Sequence, residues 1–256
     1  MTNNHCPRCG QRLEKRRLEN TDRGYCPSCQ LPVYENPVPA MAVASGLPAV
    51  DLQLPWGAYV ITSQDHLQIA EQACSGGARV IQYRDKTAPP PRRLEIARAI
   101  RRVTRQHGAL FIVNDHIDTA LLSAADGVHL GQDDLGITEA RKIVPAGFLI
   151  GRSTHSLDQA VEAQGQGAHY IGIGPVFATP TKENYPPIGL ETLCQVAAAI
   201  TIPFVAIGGI TLQNLAGISR AGAVNVAMVR EFQKETAQTV RAVNKVLRAA
   251  TEREAD

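Results

Sequence analysis

The chain has 256 residues, 44% of them hydrophobic and 20% charged, with 26 Lys plus Arg against 24 Asp plus Glu for a formal net charge of +2. That balance excludes wholesale disorder, and it lacks the large basic excess of a protein that holds nucleic acid by its phosphates. The polar start has no signal-peptide core, and the longest apolar run, Val196 to Ile210, is broken by Pro203, so a cytoplasmic protein with no membrane partner is expected.

Residues 1–44 carry two cysteine pairs, Cys6-Pro7-Arg8-Cys9 and Cys26-Pro27-Ser28-Cys29. Two residues between cysteines let a tight turn aim both sulfurs at one ion, and two such knuckles complete a tetrahedral four-thiolate site. Without a secretory signal this spacing favours metal over disulfides. A small ribbon closed on a structural Zn²⁺ is therefore expected, with Cys6, Cys9, Cys26 and Cys29 as its ligands. Residues 1–36 hold six basic and four acidic side chains. A Zn²⁺ held by four thiolates carries two net negative charges, which cancel that excess, so nucleic acid is not an expected partner.

The ribbon and its tail, Val33-Tyr34-Glu35-Asn36-Pro37 onward to Val43, resemble the zinc ribbon that precedes the catalytic domain of some Nudix hydrolases. Two departures stand out. Gln30 occupies the position after the second knuckle where glycine is usual, and no stretch matches the Gly-led box with its Arg-Glu and paired Glu. Nudix hydrolysis is not expected.

Residues 45–55, with Gly46, Pro48 and Pro55, read as a linker. From residue 56 to 256, strand-like runs alternate with amphipathic helical ones. The strand-like runs are Ala58–Thr62, Val80–Arg84, Leu110–Asn114, Gly127–Leu130, Leu149–Ser153, Tyr170–Gly174, Phe204–Ile207 and Val224–Val229. Helical stretches include Leu94–His107, Leu157–Gln166, Leu190–Ile200 and Phe232–Ala249. Such repeated β-then-α units predict an α/β fold, a (β/α)₈ TIM barrel, with an open doubly wound sheet as the alternative. Cys74 and Cys194 fall in apolar helical stretches and are expected to pack inside.

In such a barrel the site lies at the C-terminal ends of the strands. Gln82, Arg84 and Lys86 alternate there, so a strand would set all three on one side. Two cations at a barrel mouth call for an anion, and phosphate or diphosphate fits the Arg fork and the Lys point charge. The other reading is a solvated strand end whose cations pair with Asp85 or Glu95. Asp115 and Asp134 follow successive strands and suit one Mg²⁺, although Asp at a strand–helix turn also serves as a helix N-cap. Gly208-Gly209 either brings backbone N–H groups to a phosphate after the seventh strand or simply makes a tight turn.

Taken together, these residues resemble those of thiamine-phosphate synthase, a family of small (β/α)₈ barrels, from about Trp56 to the last helix. The matching motifs are Gln82-Tyr83-Arg84-Asp85-Lys86, Val113-Asn114-Asp115, Asp126-Gly127-Val128-His129-Leu130-Gly131-Gln132-Asp133-Asp134, Gly151-Arg152-Ser153-Thr154-His155, Gly174-Pro175-Val176-Phe177 with Thr179-Pro180-Thr181-Lys182, and Ile207-Gly208-Gly209-Ile210. The resemblance implies condensation of hydroxymethylpyrimidine diphosphate with a thiazole phosphate, giving thiamine phosphate and pyrophosphate. It implies that Gln82, Arg84, Lys86, Asn114, Ser153 and Lys182 contact the pyrimidine diphosphate, with Arg84, Lys86, Ser153 and Lys182 as the catalytic set. Asp115 and Asp134 would hold Mg²⁺. Thr179, Thr181, Gly209 and the backbone at Val229 and Arg230 would receive the thiazole phosphate, although Arg230 stands where the family usually has serine. Departure of pyrophosphate leaves a pyrimidine cation, so neutralising the leaving group matters more than a general base. Two other readings are a thiazole tautomerase-like barrel using His155, and a zinc-ribbon adaptor with a degenerate barrel. The expected partners are small-molecule substrates, and the oligomeric state, homo-oligomer included, is left open.

Overall fold

The chain divides into two units, Met1–Pro48 and Ala49–Asp256. The computed structural model describes residues 11–18, 21–28, 31–33, 56–179 and 185–253. Within the first unit, β1 (Glu14–Leu18), β2 (Thr21–Cys26) and β3 (Leu31–Val33) form an antiparallel sheet in chain order. Cys26 ends β2 and is buried. The other expected zinc ligands, Cys6, Cys9 and Cys29, lie outside the described residues, as does the linker 45–55. Among the described residues no group of three or more His, Cys, Asp or Glu side chains is placed to hold a metal ion.

The second unit alternates strand and helix. The strands are β4 (Gly57–Thr62), β5 (Val80–Tyr83), β6 (Leu110–Asn114), β7 (Gly127–Leu130), β8 (Leu149–Thr154), β9 (Tyr170–Ile173), β10 (Phe204–Ile207) and β11 (Asn225–Ala227). Between and after them run α1 (His66–Ser75), α2 (Pro90–His107), α3 (Ile117–Leu122), α4 (Ile137–Ile143), α5 (Leu157–Gly165), α6 (Gly189–Ala199), α7 (Leu215–Arg220) and α8 (Thr236–Arg253). All neighbouring strand pairs are parallel, and β11 pairs with β4, so the sheet closes. Closure selects the predicted barrel and rules out the open sheet. The short strands are buried on both faces, as parallel strands covered by helices must be.

Two cores follow from the period of two along each strand. Inside the barrel, Trp56, Tyr59, Ile61, Val80, Ile112, Leu149, Tyr170, Val205 and Ala227 fill the bore. The alternate positions, such as Ile81, Tyr83, Phe111 and Val128, pack outward against the helices. Arg101 of α2 and Asp126 form a buried fork at 2.7 and 2.8 Å, and Asp126 also accepts the Phe111 N–H at 2.7 Å.

Three sequence expectations shift. Prolines at its first positions let α2 begin at Pro90, ahead of Leu94, and Gly108 at φ 64° closes it. The last helix starts at Thr236 rather than Phe232, because Glu235 takes a left-handed φ of 45° after a 3₁₀ turn over Glu231–Gln233. Cys74 is buried as expected, but Cys194 is exposed. The inward stripe of α6 runs through Leu193 and Val196, which puts Cys194 off its edge. No helix among the described residues is long and apolar enough to cross a membrane.

Candidate active site

The loops that leave the C-terminal ends of the barrel strands enclose one cavity of about 570 Å³. On its first side stand Gln82, Arg84 and Lys86. Gln82 is 2% exposed, and its Nε2 donates to Asn114 Oδ1 at 3.4 Å. Because β5 ends at Tyr83, strand alternation accounts only for Gln82, and the following loop carries Arg84 and Lys86 to the same cavity. Among the described residues neither cation is ion-paired. Asp85 is engaged by Thr87, Ala88 and His66, and Glu95 pairs with Arg92 at 2.7 Å. Among the described residues, the ion pairs of Arg84 and Lys86 with Asp85 or Glu95 that the solvated-strand reading called for are absent.

Asp115 and Asp134 meet at the next part of the wall. Neither is a helix N-cap, since α3 is preceded by His116 and α4 by Gly136. Asp115 holds a left-handed φ of 61°, a conformation few non-glycine residues adopt without a local purpose. Asp134 accepts the Gly131 N–H at 2.6 Å, and Arg152 braces the same loop by donating to the carbonyls of Gln132 and Leu135. Burial, a hydrogen bond with Asp134 and the charge of Asp134 push the Asp115 carboxyl up to about 6, against the pull of Lys86 and Arg84. Two carboxylates that repel each other in a half-buried site fit a divalent cation, which relieves that repulsion.

The floor holds residues that the sequence reading missed. Ser153 Oγ lies 3.0 Å from His129 Nε2, His129 Nδ1 lies 3.1 Å from the Tyr170 hydroxyl, and that hydroxyl lies 2.8 Å from Tyr59. Burial raises both tyrosine pKa values, so these hydroxyls keep their protons. A Cβ at Gly151 would sit 2.2 Å from the Tyr170 ring and 2.5 Å from His129 Nδ1, so glycine makes room for the chain. The signal was available: in β7, Val128 and Leu130 pack outward, which turns His129 inward.

The remaining wall is built by backbone. Gly208 at φ 95° and Gly209 at φ 66° press against Pro175 and Phe177, where a Cβ would stand 2.4 and 2.7 Å from their Cβ atoms. Asn214 fixes this turn, donating to Gly209 O at 2.9 Å and accepting the Thr211 N–H at 2.8 Å. Thr179, Val229 and Arg230 also line the cavity. Arg230 makes no ion pair with Glu231 among the described residues, and both border the cavity. His155 lines it too, with its ring stacked on Tyr185 at 4.0 Å and its Nδ1 against the Gly174 carbonyl. Thr181 and Lys182 lie outside the described residues.

Residues 58–232 match the family described as thiamine monophosphate synthase. The chain belongs to that family. The thiamine-phosphate synthase of Methanoculleus marisnigri is 48% identical over 178 residues, covering 67% of this chain and 84% of that relative. That of Pelotomaculum thermopropionicum is 45% identical over 194 residues, covering 75% of this chain and 88% of the relative. Among solved structures, the thiamine phosphate pyrophosphorylase from Pyrococcus furiosus superposes with a TM-score of 0.74 at 35% identity, over 78% of this chain and 99% of that one. A 3-hexulose-6-phosphate synthase, at 19% identity and a TM-score of 0.55, shares the fold alone.

Proposed function

We propose that this enzyme of thiamine biosynthesis joins hydroxymethylpyrimidine diphosphate to thiazole phosphate, releasing pyrophosphate and forming thiamine phosphate. The observation that carries this reading is a single cavity holding Arg84 and Lys86, free of ion pairs among the described residues, beside the Asp115–Asp134 pair. In this reading Arg84, Lys86 and, by resemblance, Lys182 neutralise charge that grows on the departing pyrophosphate. Gln82, Asn114 and Ser153 orient the pyrimidine, and the Ser153 hydroxyl is itself held by His129. Asp115 and Asp134 would hold Mg²⁺, which when bound adds positive charge beside the diphosphate oxygens. The Gly208-Gly209 turn, Thr179, the backbone at Val229 and Arg230 and, by resemblance, Thr181 receive the thiazole phosphate. Holding both substrates together turns the attack of the thiazole nitrogen into a unimolecular step. The tautomerase reading has His155 at the cavity, but a carboxylate pair and two cations have no task in that isomerisation. The adaptor reading leaves the same residues without a purpose.

For the first unit, the reading is a ribbon over residues 1–44 closed by Zn²⁺ on Cys6, Cys9, Cys26 and Cys29, followed by a linker over 45–55 and a barrel over 56–256. Its support is the double CxxC spacing and the burial of Cys26 at the end of β2. The test of function is pyrophosphate release when both substrates and Mg²⁺ are supplied. No release above that seen with either substrate alone would end the reading.

A further inference from the structure

Asp85 stands between two cations of the cavity wall, yet its carboxylate is spent on the backbone. Its Oδ1 accepts the N–H groups of Thr87 and Ala88, both at 2.9 Å, and the Thr87 hydroxyl at 3.0 Å. A carboxylate that takes the N–H groups two and three residues on closes an Asx turn. Its Oδ2 lies 3.3 Å from His66 Nε2 and 3.5 Å from the Tyr83 hydroxyl. His66, at the start of α1, sits edge-on to Tyr83 at 4.8 Å, and its Nδ1 is 2.9 Å from Thr62 Oγ1. On the other side of the loop, Arg84 N–H donates to Thr62 O at 3.2 Å. The segment that carries both cations is thus pinned at each end: Arg84 to the end of β4, and the chain after Lys86 to Asp85. Burial alone would raise the Asp85 pKa, but the Thr87 and Ala88 donors and His66 bring it down to about 2.

We propose that Asp85 is a positioning residue for the pyrimidine diphosphate, holding the turn that sets where Arg84 and Lys86 present their charges. The inference rests on the synthase reading. Its physical basis is that electrostatic stabilisation depends on donors fixed beforehand, and a displacement of about 1 Å costs on the order of a hundredfold. The effect belongs to one substrate, because the Gly208-Gly209 turn and Thr179 stand on other loops.

Steady-state kinetics with each substrate varied in turn test it. Asp85→Ala should raise KM for the pyrimidine diphosphate about tenfold or more while KM for thiazole phosphate stays within about twofold. Asp85→Asn keeps an Oδ1 acceptor for Thr87 and Ala88 and should recover KM to within about threefold of the unaltered protein. His66→Ala removes the imidazole from Oδ2, along with its contacts to Thr62 and Tyr83, but leaves the Oδ1 turn in place. It should raise the same KM alone by about twofold to fivefold, which keeps the test alive should Asp85→Ala not fold. An unchanged pyrimidine KM in Asp85→Ala, an equal rise for both substrates, or an Asp85→Asn no better than the alanine variant would each overturn the proposal. Where Asp85→Ala does not fold, an unchanged KM in His66→Ala overturns it. Failure of the unaltered protein to release pyrophosphate would instead overturn the synthase reading.

Discussion

At Asp115 two costs coincide, a left-handed backbone at φ 61° and a carboxyl that shares its site with Asp134. Asparagine tolerates that backbone and carries no charge. Asp115→Asn is therefore expected to slow turnover about a hundredfold, a typical loss for one transition-state contact. Its metal-free melting temperature at pH 7 should equal or exceed that of the unaltered protein, a combination that a misfolded variant cannot give. The pH dependence has a definite sign. A carboxyl raised from 3.8 to about 6 binds its proton more tightly when folded, so it adds stability below the unfolded pKa that is lost as pH rises through about 6. Metal-free protein in chelator should accordingly lose stability between pH 4 and pH 6 from this group, and added Mg²⁺ should restore it above pH 6. A Tm profile in which Asp115→Asn shows the same slope would refute the assignment.

Among the elements, the turn after β10 is held tightly by its neighbours. Gly208 has φ 95°, and an added Cβ would meet Pro175 at 2.4 and 2.5 Å, on atoms that cannot swing aside. Gly208→Ala should cost about 1–3 kcal/mol in urea unfolding, from combined overpacking and backbone strain. It should also raise KM for thiazole phosphate more than KM for the pyrimidine diphosphate. The helices show how far pattern carries. In α6, Leu193 and Val196 face inward, while Cys194, expected inside from its apolar surroundings, is exposed. In β7 the alternation that hides Val128 and Leu130 turns His129 toward Ser153, a partner no local pattern names.

Across the whole barrel, Asp126 ties α2 to β6 and β7 through Arg101 and the Phe111 N–H. Both side chains are nearly fully buried, at 7% and 5% exposure. Removing one partner strands a charge in the interior, so Asp126→Ala should lose about 3–5 kcal/mol by urea unfolding. A loss under about 1 kcal/mol would show that water reaches the site. Among the described residues, those lining the cavity come from the second unit. The thiamine phosphate pyrophosphorylase from Pyrococcus furiosus is matched over 99% of its length by 78% of this chain. Deleting residues 1–44 is thus expected to leave turnover within a few fold, measured as pyrophosphate release, and a large loss in a folded barrel would tie the ribbon to catalysis.

The sequence by itself determined the alternation of strand and helix, because those periods depend only on which side chains water rejects and in what order they recur. That the sheet closes into a barrel was decided by the pairing of β11 with β4. Of the residues that the chain's own pattern and its family resemblance put forward, Gln82, Arg84, Lys86, Asn114, Asp115, Asp134, Ser153, Thr179, Gly209, Val229 and Arg230 line the cavity. Tertiary structure alone decided what those residues do to one another. That Asp115 and Asp134 raise a carboxyl to about 6, that Asp85 meets His66 from the preceding helix, and that His129 bridges Ser153 to Tyr170 all depend on distances across separate elements. Electrostatic and hydrogen-bond energies fall off steeply over a few ångströms, whereas sequence order fixes only neighbours along the chain.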